Sequence, residues 1–256
     1  MLDAVAEAGS VQVDELAARF AISRMTVHRD LDELAEQGLV RKVHGGATTR
    51  ASSLVETSVL HRAHLCTPEK QAVAHAAASL IEPGQAIIID DSTTVATLLP
   101  YLPALRPLTV ITNSLGVVQA LCAVHGINVI CLGGNYIPTF NAFFGLVCEQ
   151  AIGSLRANTL FMSTSTVFGL SAYHQEQDVV KTKRALMGVV DKRILMVDSR
   201  KFGMTALNRL AGLSEFDLVL TDEGLDMAAR NDLRAAGVKL RVAGERQTEQ
   251  PGDNRT

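Results

Sequence analysis

Three short polar segments contain the residue types that bind phosphate groups: hydroxyls, a free amide and main-chain N–H groups of glycines. Each segment directly follows an apolar run, so each would lie where a buried strand ends. Ser, Thr and Asn ahead of a helix more often serve as its cap, but three such segments in one chain favour an anion site. The residues concerned are Asp90, Asp91, Ser92, Thr93, Thr94, Thr112, Asn113, Ser114, Gly133 and Gly134.

A lysine later in the chain could neutralise the charge of a phosphate at such a site. Lys201 lies in the segment DSRKFG, directly after the apolar run RILMV. The alternative is an ordinary lysine exposed to solvent. We expect Lys201 to contribute to the anion site.

A second group of residues, near the N-terminus, has the chemistry that contacts DNA. The segment SRMTVHR carries cationic and hydrogen-bonding side chains, and RKVHGG adds a basic turn. Such side chains neutralise DNA phosphates or reach base edges. The alternative is a generic pair of helices with solvated charges. The candidate DNA-contacting residues are Ser23, Arg24, Met25, Thr26, His28, Arg29, Arg41, Lys42, His44, Gly45 and Gly46.

The elements that would position these residues are two short helices followed by a basic strand and turn. The segment VQVDELAARFAI predicts the first helix, and a second helix, capped by Ser23, is predicted to end at Gln37–Gly38. This is the outline of a winged helix-turn-helix, whose second helix enters the major groove of DNA. The residues predicted to face each other at helical spacing are Leu16, Ala17, Phe20, Val27, Leu31, Leu34 and Ala35, with Ile22 filling the turn.

The rest of the chain alternates between apolar runs and helical segments, which indicates a parallel β-sheet with helices on both faces. The first helical segment, EKQAVAHAAASLIEPG, is predicted to end at Gly84. Ligands of such sheets bind beyond the carboxyl ends of the strands, which is where the polar segments lie. The predicted strands are 86–91, 108–112, 127–133, 159–163, 193–199, 217–221 and 238–242.

The N-terminal segment resembles the DNA-binding domain of the DeoR family of bacterial sugar-operon regulators. The resemblance rests on the DEL helix, the recognition helix S-x-x-T-[VI]-x-R-D-L and the wing G-L-[VL]-R-x-x-G-G-A. His28 stands where many members carry Arg. The resemblance also implies that the first helix of the domain is truncated at Met1.

Residues 69–222 resemble the sensor domain of the same family, through the motifs EK-x-A-[VI]-A, D-x-x-TT, TNS, LGG, FFG and D-x-x-KFG. The resemblance implies the fold of ribose-5-phosphate isomerase and a phosphorylated sugar or polyol as ligand. It adds Gly145 to the candidate ligand contacts. Glu176 is a candidate contact to the sugar, with a solvated helix charge as the alternative. Ser92 replaces the usual glycine of its motif, which would narrow the phosphate pocket.

Composition limits the class of protein. Of the 256 residues, 47% are hydrophobic, which is enough for packed cores, and the formal net charge is −3. The first fifty residues carry six Lys and Arg against eight Asp and Glu, so DNA affinity would depend on local clusters. The absence of a transmembrane run or signal peptide predicts a cytoplasmic protein with no membrane partner.

The cysteines have none of the spacings of a metal site or a redox motif. We therefore expect them to act as small apolar residues, and we expect neither a metal nor a cofactor. The four positions are Cys66, Cys122, Cys131 and Cys148.

Four regions are predicted along the chain: a winged helix-turn-helix at 1–50, a linker at 51–68, an α/β sensor domain at 69–244 and a disordered tail at 245–256. The tail contains no apolar residue. One helix-turn-helix reads few base pairs, so we expect a homo-oligomer that presents paired heads to double-stranded operator DNA.

Two functions fit this organisation. The first is a DNA-binding transcriptional regulator, a repressor of a sugar or polyol operon, whose effector is a phosphorylated sugar. The second is a sugar-phosphate isomerase with an added helical domain. Isomerisation needs a carboxylate base, and Asp90, Asp91 and Glu176 could serve, but none lies in a recognisable catalytic motif. The N-terminal helices favour the regulator.

Overall fold

The computed structural model describes residues 1–36, 40–48 and 59–245. The predicted helix end at Gln37–Gly38, most of the predicted linker and the tail from residue 246 onwards lie outside these residues.

The N-terminal unit is a winged helix-turn-helix, as predicted. It contains three helices and a three-stranded antiparallel sheet in the order β1-β3-β2. The segment VQVDELAARFAI is not helical throughout, because its first two residues pair in β1. The elements are α1 (Leu2–Ala8), β1 (Ser10–Gln12), α2 (Val13–Phe20), α3 (Arg24–Glu36), β2 (Arg41–Val43) and β3 (Gly46–Thr48).

The core of this unit is formed by α1, α2, α3 and the small sheet. Leu16, Val27 and Leu31 are fully buried in it, as their helical spacing predicts. The prediction for Phe20 is wrong, since its side chain is 40% exposed. Residue 21 adopts a left-handed conformation (φ 53°) that ends α2, and Ile22 packs against the core beyond this turn.

The second unit is built on a seven-stranded parallel sheet in the order β15-β14-β12-β9-β4-β5-β6. Each of the seven predicted strands corresponds to one of its strands. Alternate residues of β4 face opposite ways: Ile88 packs into one core, and Ile87 and Ile89 pack into the other. The strands are β4 (Ala86–Ile89), β5 (Leu108–Thr112), β6 (Ile127–Cys131), β9 (Ala157–Met162), β12 (Val190–Met196), β14 (Leu218–Thr221) and β15 (Leu240–Val242).

Helices cover both faces of this sheet. Helices α5 and α7 contribute to the core on one face, and α8, α9 and α10 contribute to the core on the other. The helices are α4 (Val59–His64), α5 (Thr67–Ala78), α6 (Thr93–Ala96), α7 (Leu115–Leu121), α8 (Leu146–Gly153), α9 (Gln177–Gly188) and α10 (Met227–Ala235).

Two helix predictions need correction. The helix predicted to reach Gly84 ends at Ala78. A helix continued to Gly84 would bring the ring of the proline at position 83 against the carbonyl of Ser79. The region predicted as linker contains α4 and the start of α5. The tail predicted to be disordered starts at Glu245, but this residue forms ion pairs with Arg230 and Arg234 and is ordered.

Short antiparallel strands were not predicted. β7 (Asn135–Ile137) and β8 (Ala142–Phe144) form a hairpin, and β10 (Thr166–Phe168) pairs with β11 (Ser171–His174), which pairs with β13 (Asn208–Gly212). These strands have three to five residues each, and they were missed because the strands of the main sheet were predicted from longer apolar runs.

Candidate functional site

Most of the predicted DNA-contacting residues are exposed on α3 and on the wing of the N-terminal unit. Arg24, His28 and Arg29 are exposed on α3, and the Met25 side chain is 81% exposed. The Ser23 hydroxyl accepts a hydrogen bond from the Thr26 main-chain N–H at 3.1 Å, so Ser23 caps α3 as predicted.

Two of the cations on α3 and the wing form short ion pairs with acidic residues. Arg24 forms a two-point ion pair with Asp14 of α2, with both contacts at 2.5 Å. Lys42 of the wing contacts Asp32 of α3 at 2.5 Å. These pairs are exposed and therefore weak, so DNA phosphates can replace the carboxylates. The wing residues Arg41 and His44 are also exposed.

The two wing glycines have different roles. Gly45 is exposed at the turn with φ 74°, a conformation that disfavours other residues. Gly46 is buried, and a Cβ there would lie 2.2 Å from the carbonyl oxygen of Val11. Gly46 is therefore required by the close pairing of β3 with β1.

The three polar segments of the sensor unit lie side by side at one edge of the sheet. They follow β4, β5 and β6, which are adjacent in the strand order, and the segment after β9 joins them on the other side of β4. After β4 the chain adds β5 and β6 on one side, and it then adds β9 and the later strands on the other side, so the strand order reverses between β4 and β9. Such a switch point is where parallel sheets bind ligands.

Asp90 and Lys183 form a buried ionic cluster at the centre of this edge. The Lys183 ammonium contacts Asp90 at 2.5 Å, Asp91 at 3.4 Å and the Ser92 hydroxyl at 3.0 Å. The Asp90 carboxylate also accepts hydrogen bonds from the Ser92 main-chain N–H and hydroxyl and from the Ser163 N–H. Asp90 therefore orders the loops through internal bonds.

The pKa values in this cluster follow from burial and charge. Burial raises the pKa of Asp90, against the influence of the Lys183 ammonium. Burial also opposes ionisation of Asp91, but Lys183, His174 and Arg62 together hold its pKa below the usual range. Although burial disfavours the Lys183 cation, the two aspartates raise its pKa. Lys183 thus remains charged and is neutralised within the protein.

Two other lysines converge on the hydroxyls of Thr93 and Thr94. The Lys70 ammonium donates to the Thr93 hydroxyl at 3.2 Å, and Lys201 donates to the Thr94 hydroxyl at 3.3 Å. Lys201 also donates to the Ser163 hydroxyl at 3.2 Å and to the Thr164 carbonyl at 2.9 Å. Lys201 therefore lies beside the first polar segment, and its contribution to an anion site stays a prediction.

Lys70 is an unusual cation. Its side chain is buried, and its pKa is lowered to about 8, first by burial and then by the neighbouring Lys201. Within the described residues, no carboxylate lies within 4.0 Å of the Lys70 ammonium, and Asp198 lies 3.7 Å from that of Lys201. Positive charge therefore exceeds negative charge beside the two threonines.

The side chains of the second polar segment, residues 112–114, form hydrogen bonds with the protein main chain. The Ser114 main-chain N–H donates to the Thr112 hydroxyl at 3.0 Å, and the Ser114 hydroxyl accepts from the Val117 N–H at 3.4 Å as the cap of α7. Asn113 donates through its amide to the Phe143 carbonyl at 3.1 Å. Its side-chain oxygen is buried without a hydrogen-bond donor among the described residues.

The remaining candidate residues of the sensor unit are Gly133, Gly134, Gly145 and Glu176. A Cβ at Gly134 would lie 2.5 Å from the Phe144 carbonyl oxygen, whereas Gly133 has open space around it. Gly145 precedes α8 with φ 87°. Glu176 precedes α9 and is exposed, and its main-chain N–H donates to His174.

Residue patterns alone did not single out Lys70 or Lys183 as parts of the site. Lys70 belongs to the EK motif that carries the family resemblance, which was the available signal. Lys183 lies in the segment KTKR, where nothing local distinguishes it from the exposed Lys181. Ser163 ends a predicted strand and Thr164 follows it, so both could have been included by the rule applied to the other segments.

Comparison with known proteins identifies both units. Residues 1–53 match the model of the DeoR-like helix-turn-helix domain, and residues 66–223 match that of the DeoR C-terminal sensor domain. The chain belongs to the DeoR family. It is thus a DNA-binding transcriptional regulator rather than an isomerase.

Relatives of this DeoR-family chain include the transcriptional repressor CsqR of Escherichia coli strain K12, which is 31% identical over 94% of this chain and 92% of its own length. The L-fucose operon activator of Haemophilus influenzae is 31% identical over 88% of this chain and 90% of its own length. Among solved structures, a ribose-5-phosphate isomerase in complex with phospho-erythronic acid superposes with a TM-score of 0.39 and 15% identity, covering 52% of each chain.

Within the described residues, no helix is both long and apolar enough to cross a membrane. The four cysteines are unpaired with one another, and Cys148 is buried as expected, whereas Cys122 and Cys131 are exposed.

Proposed function

We propose that this regulator is a cytoplasmic repressor of a sugar or polyol catabolic operon and that a phosphorylated sugar is its effector. The observation that supports the effector class is the convergence of Lys70 and Lys201 on the hydroxyls of Thr93 and Thr94. A buried cation whose hydrogen-bond acceptors are neutral is stabilised by an anionic ligand. A phosphate dianion has the charge and the acceptor oxygens to do this.

The proposed phosphate contacts are Thr93, Thr94, Lys201 and Lys70, with the Ser114 hydroxyl free to donate while it accepts from its own helix. The sugar would then extend towards Asn113, whose buried side-chain oxygen can accept from a sugar hydroxyl. Asp90 and Asp91 position the loops through Lys183 and are assigned no direct contact with the phosphate.

The repressor assignment follows the name of the CsqR relative, and the fucose-operon relative shows that an activator occurs among similar proteins. In the proposed arrangement, α3 lies in the major groove and the wing contacts the backbone. Effector binding changes DNA affinity only through its different affinity for the DNA-bound and free conformations. We expect the effector to release the operator.

Calorimetry with a panel of phosphorylated sugars and their unphosphorylated counterparts tests the effector class. Only phosphorylated compounds should bind, because the site's excess charge is positive. The double variant Thr94→Ala with Lys201→Ala should bind operator normally but ignore the effector. Lys181→Ala, which removes an exposed lysine, is the control. Equal binding of free sugars, or a double variant that still responds, contradicts the proposal.

A further inference from the structure

We propose that two copies of this chain pair edge to edge through strand β6, so that the parallel sheet continues across a twofold axis. The inference names the surface of the oligomer contact, which the proposed function leaves open. Strand β6 lies at one end of the seven-stranded sheet, and among the described residues its only strand partner is β5. The strand at the other end of the sheet is β15.

The outer side of β6 presents main-chain groups that no other strand uses. The Leu132 N–H donates to the Thr112 carbonyl of β5, so the main chain of Leu132 faces β5. Residues of a parallel pair face the neighbouring strand alternately, so the N–H and C=O groups of Val129 and Cys131 face outwards. Within the part of the chain that the structure describes, these four groups have no hydrogen-bond partner.

The two ends of the sheet differ in how they are protected against another strand. Natural sheets block exposed edges with short strands, charged side chains or proline. Strand β15 has three residues, contains Arg241 and directly follows Lys239. Strand β6 has five residues, INVIC, with neither a charge nor a proline. The β6 edge is therefore open to pairing, whereas the β15 edge is protected.

A second copy of β6 fits this edge. In an antiparallel pair with Ile130 on the twofold axis, Val129 lies opposite Cys131 of the second copy, and Cys131 lies opposite its Val129. Both are hydrogen-bonded pairs in this register, so the outward groups form four main-chain hydrogen bonds. A twofold axis brings the same surface of both copies together, and like charges facing each other would repel. Because β6 carries no charge, this repulsion does not arise.

Exposed apolar side chains beside the end of β6 add contact area. Leu146 is 69% exposed and Val147 is 61% exposed in the first turn of α8, and Tyr136 of β7 is 45% exposed. Helix α8 lies next to the segment that follows β6, because a Cβ at Gly134 would lie 3.2 Å from the Cys148 Cβ. A stable interface buries about 800 Å² on each partner. The main-chain bonds would set the register, and the apolar side chains would supply much of the buried area.

A charge on the β6 edge tests this pairing. Cys131→Lys changes an exposed side chain, so the fold should be kept, and it brings two lysines close together across the axis. The dissociation constant of the oligomer, measured by sedimentation, should rise on the order of tenfold or more, because like charges across an interface are costly. Met227→Lys is the matched control, since it charges a 59% exposed apolar side chain on α10, which packs beside β15.

A disulfide experiment tests the register. In a background of Cys122→Ser with Cys131→Ser, Ile130→Cys places two thiols opposite each other on the axis. The Cα atoms of such a non-hydrogen-bonded pair are about 4.5 Å apart, within the range of a disulfide. Mild oxidation should therefore give a covalent dimer on a non-reducing gel. Asn128→Cys in the same background is the control, because its two thiols would lie about 13 Å apart along the strands.

The outcomes judge the β6 edge without operator or sugar. A monomeric wild type, or a Cys131→Lys variant that associates as tightly as the wild type, overturns the proposal. An equal rise in the dissociation constant for Met227→Lys also overturns it. The same holds if Ile130→Cys gives no covalent dimer, or if Asn128→Cys gives as much. Since no measurement involves a sugar phosphate, failure of the proposed effector would leave these results unchanged.

Discussion

Three lysines of one site differ in what their charge can do. Lys183 forms ion pairs with two buried aspartates, so its charge is neutralised and holds the loops together. Lys70 donates to neutral acceptors, and Lys201 has one carboxylate at 3.7 Å. The residue type is the same in each case. The partners that the fold supplies decide whether a lysine is structural or available to an anion.

The lowered pKa of Lys70 predicts a pH-dependent effector affinity. A phosphate needs the protonated lysine, and the Lys70 pKa is about 8. Affinity for the phosphorylated sugar should therefore fall as pH rises through about 8, by up to about tenfold per pH unit beyond it. Phosphate monoesters are already dianionic there, since their second pKa is about 6.

Calorimetry between about pH 7 and pH 9 measures this effect. The Lys70→Met variant should bind more weakly and show little change over the same interval. A wild-type affinity that is constant across the interval would argue against a contact between Lys70 and the phosphate.

Removing Lys183 should destabilise the sensor unit rather than only weaken ligand binding. Lys183→Met leaves Asp90 and Asp91 buried beside each other with no cation, and breaking a buried pair in this way costs about 3–5 kcal/mol. Urea denaturation gives the free energy of unfolding. Lys181→Met on the same helix, where the side chain is 54% exposed, should change it by less than about 1 kcal/mol. Equal losses for the two variants would show that the cluster is not important for stability.

At the scale of elements, we expect α3 and the wing to form one DNA-binding surface. Lys42 of β2 contacts Asp32 of α3, and Arg24 of α3 contacts Asp14 of α2, so the elements are linked by ion pairs across the surface. Arg29 forms a longer ion pair with Asp30, at 3.8 Å, and the Arg29 side chain is 73% exposed. Of these three cations, Arg29 therefore has the weakest ion pair to break when it contacts a phosphate.

Salt dependence of operator binding separates these roles. Arg29→Ala and Lys42→Ala should each weaken binding and reduce the slope of log K against log salt by about one. Substitution of Arg24 or His28 should instead relax sequence preference, as expected for residues that read bases. Arg156→Ala in the sensor unit is the control. Unchanged binding for all four variants in gel-shift titrations would exclude this surface as the DNA contact.

At the scale of the whole molecule, we expect a homo-oligomer. One winged unit reads few base pairs, and a second unit in the same assembly raises affinity through effective concentration. Light scattering should give at least a dimer at micromolar concentrations, and operator DNA should bind one oligomer across two half-sites. A strict monomer both with and without DNA would contradict this expectation.

The sequence by itself determined the order of units and the main sheet. The seven apolar runs became the seven parallel strands, because a strand buried on both faces must be apolar along its length. The polar segments after β4, β5 and β6 were placed correctly at one edge, since parallel strands end on the same side. The helical spacing of Leu16, Val27 and Leu31 determined the core of the winged unit.

Only the tertiary structure decided which polar residues are free to meet a ligand. Asp90 was a candidate contact until Lys183, 93 residues away in the chain, proved to occupy its carboxylate. Lys70 lies beside Thr93 because α5 packs beside α6. Charge pairing and burial depend on residues far apart in sequence, and no local pattern contains that information.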